Sequence, residues 1–485
     1  MMRGLRSFLA IAVSLVVGGA VALHAATDSK NAKTATQVRV VQSSEERGEA
    51  LEERAPVAFG TERAPELTIT VNEAVRYQII DGFGASLTDS SAWLLWNNLS
   101  EAQRRETLQK LFDPEKGIGL SLLRQPMGSS DFATEDYSYD DMPSGESDPE
   151  LKRFSIAKDE RYILPLLREA LAVNPQLKVM ATPWSPPGWM KTSGSMIQGA
   201  LLPEAYKPLA AYFVKFVQAY EKAGVPIYAI TPQNEPHFVP NNYPGMNMTA
   251  AEQGRFVREA LAPAVAAARL KTKVLIFDHN WDLIHFPIEL LNDGKSAAQV
   301  DGIATHCYGG SVTAQQELHN RFPDKDIWLT ECSGGEWQKG KTLEQQARLV
   351  IDATRNWARG VILWNLALDQ NHEPYLGGCA TCRGVITVKH DGKTAQVIPT
   401  VDFTALGHAS KFVRQGARRI ESNTFGQGSL EDVAFQNPDG SIVLLVLNSG
   451  GQRVTFNIGW DGQFARCTME GSSVATFTWS AKTAR

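Results

Sequence analysis

The sequence has no basic excess: 48 lysines and arginines stand against 53 acidic residues, for a formal net charge of −5. A nucleic-acid binder would show a basic stripe, so that class is set aside. Cysteine is scarce, with 5 residues at positions 307, 332, 379, 382 and 467. These are too few and too dispersed for a disulfide-built scaffold. No His-x-His pair stands at a strand end, and His237, His279 and His306 fall on separate segments. That spacing argues against a hydrolytic metal centre, and neither a metal nor another cofactor is expected. Past the first thirty residues no run approaches the ~20 apolar residues of a membrane span. No internal repeat, low-complexity linker or glycine-rich phosphate loop is found.

What is present is the composition of an ordinary globular protein, long enough at 485 residues to bury a large core in more than one domain. The first residues, "MMRGLRSFLAIAVSLVVGGAVALHAATDSK", set Arg3 and Arg6 before an apolar run from Phe8 to about Val16. Small residues follow, with cleavage sites at Ala20-Val21-Ala22 or Ala25-Ala26. This is the pattern of a secretory signal peptide over 1–25, which predicts a secreted or periplasmic mature chain without an integral membrane segment. In an oxidising compartment Cys379 and Cys382, in "GGCATCRG", suit a local disulfide better than free thiols or half a metal site.

Reading for period gives a repeated unit of short apolar strand, polar loop and amphipathic helix. Strand candidates fall at 77–86, 119–128, 177–185, 227–235, 273–280, 300–308, 326–333 and 360–369. Helical patterns fill the gaps, as at 202–224, closed by Gly224, and at 249–270. Eight such units predict an α/β fold, a (β/α)8 barrel over 78–413, in preference to a doubly wound open sheet. Alternating segments at 26–77 and 414–485 read as an antiparallel β-sandwich built from both flanks.

A barrel fixes its functional face at the C-terminal ends of the strands. The candidates there are Asp81, Arg124, Asp131, Trp184, Asn234, Glu235, Asp278, His279, His306, Tyr308, Glu331, Trp337, Trp364 and Asn365. One polar residue at a strand end is a cap; so many on converging strands point to a site. Glu235 closes the fourth strand and Glu331 the seventh, and those strands lie across a barrel mouth from each other. Two carboxyls flanking one bond, an acid and a nucleophile, are what glycosidic cleavage requires. Arg124 near Glu331 would depress that carboxylate, and Trp184 and Trp364 would offer flat faces to a sugar, although each also fits a core position.

The ordered motifs "DGFGASLTDSSA", "LLRQPMGSSDF", "PWSPPGWMK", "TPQNEP", "LTECSGG" and "WNLAL" resemble a family 30 glycoside hydrolase of the glucosylceramidase-like branch. The resemblance runs from about residue 78 to 413 and implies metal-free, retaining hydrolysis of β-linked sugars. By motif it implies Glu235 as acid/base and Glu331 as nucleophile. It further implies Arg124, Asp131, Trp184, Asn234, Tyr308 and Trp364 as substrate-binding residues. His306-Cys307-Tyr308 departs from the family's His-Trp-Tyr, and "DQNHEPYLGGCATCRGVI" after the eighth strand is unlike the animal glucosylceramidases. The expected partner is a β-glucoside or β-glucan, with a glycolipid among the candidates. The first expectation is a glucosylceramidase-like β-glucosidase and the alternative an endo-β-1,6-glucanase. A non-catalytic carbohydrate-binding barrel would be expected to have lost one of the two glutamates.

Overall fold

The computed structural model describes residues 35–480, so the segment read as a signal peptide lies outside the described residues. Eight parallel strands close into a barrel: β1 (Gly82–Ser86), β2 (Leu122–Pro126), β3 (Lys178–Thr182), β4 (Ile227–Ile230), β5 (Lys273–Asn280), β6 (Gly302–His306), β7 (Asp326–Glu331) and β8 (Ala358–Leu363). The ring shuts where Gly360 to Leu363 pair with Gly82 to Ala85.

These strands read as unbroken apolar runs because both faces are buried. In β3, Val179 and Ala181 join the large core shared with the helices, while Met180 points to the barrel interior with Leu122, Ala229, Leu275, Ala304, Trp328 and Ile362. Trp328 fills that interior, and a side chain at Gly302 would meet its ring at 2.5 Å.

The first candidate strand divides in two. Thr68–Ile79 belongs to the side sheet, and the barrel strand starts only at Gly82. Asp81 therefore sits at the opposite end of the barrel from the mouth. It accepts hydrogen bonds from Lys178 at 2.5 Å, Tyr228 at 2.9 Å and Trp328 at 2.9 Å, and pairs with Arg359 at 3.2 Å. It is a structural plug and leaves the list of site candidates. The helix read at 202–224 is Tyr206–Lys222, followed by Gly224 at φ +85°. The pattern at 249–270 opens on a Thr249–Glu252 capping box and contains a π-helical turn at Val257–Leu261.

The side sheet has nine strands in the order Gln463–Met469, Val454–Trp460, Thr68–Ile79, Arg418–Ser422, Leu430–Gln436, Ser441–Asn448, Ser473–Ser480, Gln37–Ser44 and Glu49–Ala58. It curls until its edges meet at the Gly60–Phe464 bridge, enclosing a second core around Val40, Leu444, Phe456 and Phe477. Pairing is antiparallel except between Val454–Trp460 and Thr68–Ile79. The opposite face packs on helices Thr342–Arg355 and Val401–Ser410 of the barrel. "SIVLLVLN" shows no polar alternation for that reason: Leu444 and Val446 point into the second core, Leu445 and Leu447 toward the barrel.

Candidate active site

Arg124 stands on β2, pointing inward and fully buried, and organises the mouth. One amino group donates to Glu331 Oε2 at 2.5 Å, at the end of β7. The other donates to Asn234 Oδ1 at 2.6 Å and Asp278 Oδ2 at 3.0 Å. A planar guanidinium gathering two carboxylates and an amide is a charge-assisted brace that lysine could not copy.

Glu235 does not close its strand. β4 stops at Ile230, and Glu235 lies beyond it at φ 43°. Left-handed backbone at a non-glycine residue costs on the order of 1 kcal/mol and persists where its surroundings over-determine it. Here the Glu235 N–H donates to the Asp278 carbonyl at 3.0 Å, and its own carbonyl accepts from Phe238 N–H at 2.9 Å. Next to it, Asn234 N–H donates to the Pro183 carbonyl at 2.9 Å.

Two neighbours on β5, Asp278 and His279, both reach the site, which regular alternation forbids. The ladder between β5 and β6 slips between Phe277 and His279, and Phe277 and Asp278 have φ 76° and 65°. This bulge turns consecutive side chains toward the mouth. Asp278 accepts from Thr231 at 2.6 Å and Thr330 at 2.6 Å as well as from Arg124. His306, ending β6, spans the gap: Nδ1 lies 3.0 Å from Glu235 Oε1 and Nε2 lies 3.0 Å from Asp278 Oδ1.

The electrostatics follow from these contacts. Burial alone would raise Asp278, but the Arg124 charge and the His306 and Thr231 hydrogen bonds hold it far below the usual carboxylate range. Burial would lower His306, yet the surrounding carboxylates Glu331, Asp278 and Glu235 push it up to about 9. Burial pushes Glu235 up, and the hydrogen bond and charge of His306 outweigh it, leaving the carboxyl below the ordinary glutamate range. At Glu331 burial wins, against the pull of His306 and Arg124, and the group is raised. The depression expected from Arg124 is thus present but overruled. Asp131 is raised well above the carboxylate range by burial, then by Glu331 and Glu235.

A raised histidine stabilises the fold fully below its unfolded value of ~6.5, and that contribution fades as pH climbs through its folded value. Moving from 6.5 to about 9 corresponds to roughly 3 kcal/mol. The melting temperature of His306→Gln is therefore expected to trail wild type most at pH 6, the gap closing as pH rises through 9. A gap independent of pH in calorimetry would contradict the charged histidine.

Above the brace lies a cavity of about 440 Å³, lined by Asp131, Glu235, Tyr308, Glu331, Trp337 and Trp364, among others. Tyr308 O–H donates to Glu331 Oε1 at 2.9 Å. Trp184 and Trp364 stack on each other with centroids 5.0 Å apart, and Arg124 lies 4.8 Å over Trp184. They form one packed pair rather than two separate platforms, with Trp364 alone lining the cavity. The concavity of about 500 Å³ beside the side sheet sets Arg39, Lys411 and Arg414 beside Glu115 and Asp439.

Two disulfides border the site. Cys379–Cys382 matches the expected local pair, and Cys307–Cys332 joins the residues immediately after β6 and β7. The second was missed, although a cysteine one position past each of two successive strand ends was its signal. The separate spacing of the histidines did not show that two of them converge. His279 and His306, on different strands, meet Glu235 with three potential ligand atoms within 4.8 Å of one another. Both nitrogens of His306 are engaged with carboxylates, Nδ1 with Glu235 and Nε2 with Asp278.

A barrel mouth carrying two glutamates beside a tryptophan, linked through Arg124, Asp278 and His306, is the arrangement of a glycoside hydrolase. Residues 80–413 match the glycosyl hydrolase family 30 TIM-barrel domain and residues 416–477 the family 30 β-sandwich domain, so the chain belongs to family 30. It is 32% identical to an endo-1,6-β-D-glucanase of Aspergillus fumigatus, over 81% of this chain and 83% of that one. It is 30% identical to lysosomal acid glucosylceramidase of Mus musculus, over 85% and 83%. The solved structure of an endo-β1,6-glucanase superposes with a TM-score of 0.85 at 32% identity, covering 92% of this chain and all of that one.

Proposed function

We propose that this hydrolase is a secreted, retaining endo-β-1,6-glucanase in which Glu331 is the nucleophile and Glu235 the acid/base. One observation carries the roles: Arg124 and Tyr308 aim two donors at Glu331, while the Glu235 carboxyl, across the same cavity, faces His306 Nδ1 at 3.0 Å. Donors favour the carboxylate form of Glu331, the form that attacks the anomeric carbon. The surrounding carboxylates push His306 up, so a proton passed from its Nδ1 to Glu235 Oε1 would arm the acid without changing the net charge. Asn234, fixed by Arg124, is placed to bind the sugar 2-OH, a contact that strengthens in an oxocarbenium-like transition state. Asp131 and Trp364 bind the rest of that sugar, and Trp184 supports Trp364 from behind.

The substrate class rests on the relatives. Those named endo-1,6-β-glucanase include a 35% identical Neurospora crassa protein and the solved structure, whereas those named glucosylceramidase reach 30–32%. This favours the glucan alternative over a glucosylceramidase-like β-glucosidase. Two disulfides support export to an oxidising compartment. Incubation with pustulan should release gentio-oligosaccharides, appearing first as β-anomers by proton NMR. Preferential cleavage of glucosylceramide would overturn the substrate class, and initial α-anomers the retaining mechanism.

A further inference from the structure

Among the described residues eight large apolar side chains are exposed, and three of them, Phe238, Tyr308 and Trp337, share the rim of the catalytic cavity at 49%, 45% and 50% exposure. Trp337 is held in place. Its ring lies flat on Gly335, where a Cβ would come within 2.0 Å of it, so any other residue there would displace the indole. Gly335 forms a β-bridge with Cys382; Glu336 N–H donates to Thr381 O at 3.1 Å and Arg383 N–H to Gly334 O at 2.8 Å. His372 touches both loops, with Nδ1 2.7 Å from Cys382 O and Nε2 3.2 Å from Glu336 Oε1. The Cys379–Cys382 disulfide closes this second loop, so the loop bearing Trp337 is stitched to a covalently fixed partner.

We propose that Trp337, with Phe238 and Tyr308 beside it, is the stacking platform for the glucosyl residue on the leaving-group side of the cleaved bond. Phe238 follows Glu235 by three residues and is hydrogen-bonded to its carbonyl, which puts this rim beside the group that protonates the departing oxygen. A flat, half-exposed indole suits the C–H face of a pyranose. Asn280 and Asp131, on the same cavity wall, supply partners for hydroxyls. The inference rests on the glucan reading above and adds a sugar site to it.

The test compares gentiotetraose with β-glucosyl fluoride, whose one-atom leaving group cannot reach the platform. In Trp337→Ala the ratio of kcat/KM for gentiotetraose to that for the fluoride should fall about tenfold, a loss of the size aromatic stacking supports. Trp337→Phe should recover most of it, which a merely structural role would not predict. Cys379→Ser/Cys382→Ser should shift the ratio the same way by a smaller factor. An unchanged ratio in Trp337→Ala, with wild type active on gentiotetraose, would overturn the platform alone. Wild type inactive on gentiotetraose yet active on glucosylceramide would overturn the glucan reading and the platform with it.

Discussion

Glu331→Gln is expected to fold as wild type and to lose about 10⁴-fold or more in kcat, roughly 5 kcal/mol of barrier. The amide nearly matches the carboxylate in shape, and its oxygen can still accept from Arg124. Arg124 keeps its ion pair with Asp278 at 3.0 Å, so no buried charge is left alone. What disappears is the atom that bonds to the anomeric carbon. A 2-fluoro-glucosyl reagent should modify Glu331 in wild type, found by peptide mass spectrometry. Modification of another residue, or turnover within tenfold of wild type, would remove Glu331 from the role.

Glu235→Ala should separate substrates by their leaving groups. Natural linkages need a proton at the departing oxygen and should slow by about 10²–10⁴-fold. Dinitrophenyl glucosides leave unaided and should lose far less in the first step. Azide, which needs no general base, should restore turnover and yield a β-glucosyl azide. His306 keeps its bond to Asp278 in this variant, so the histidine stays in place with nothing to receive its proton. Equal losses on both substrate types, without rescue, would assign proton donation elsewhere.

The eight strands and the two glutamates were legible because each leaves a local mark: an apolar run, then an acid at or near its end. What escaped the sequence depends on geometry between segments. The bulge at Phe277–His279 is a register slip against β6, and no residue type announces it. It brings Asp278 and His279 to the mouth together, and so unites histidines that spacing alone keeps apart. Asp81 failed for the opposite reason: the run "YQIIDGFGAS" looks continuous, yet the chain changes sheets within it. Trp184 was read as a sugar-binding residue, but only packing shows that it stacks on Trp364, and of the two only Trp364 lines the cavity.

The side sheet has a consequence for synthesis. Gln37–Ser44, the first described strand, lies between Glu49–Ala58 and Ser473–Ser480, the last one. During translation the first hairpin must wait, with one edge unpaired, until more than four hundred further residues have left the ribosome. Long-range pairing of this kind slows folding and leaves an open edge prone to wrong partners meanwhile. The barrel can form in that interval, but its helices Thr342–Arg355 and Val401–Ser410 gain their full cover only when the closing strand arrives. A chain stopped a few residues before Ser473 is therefore expected to lose the strand that joins its first hairpin to the rest of the sheet, and with it the whole molecule rather than its tail.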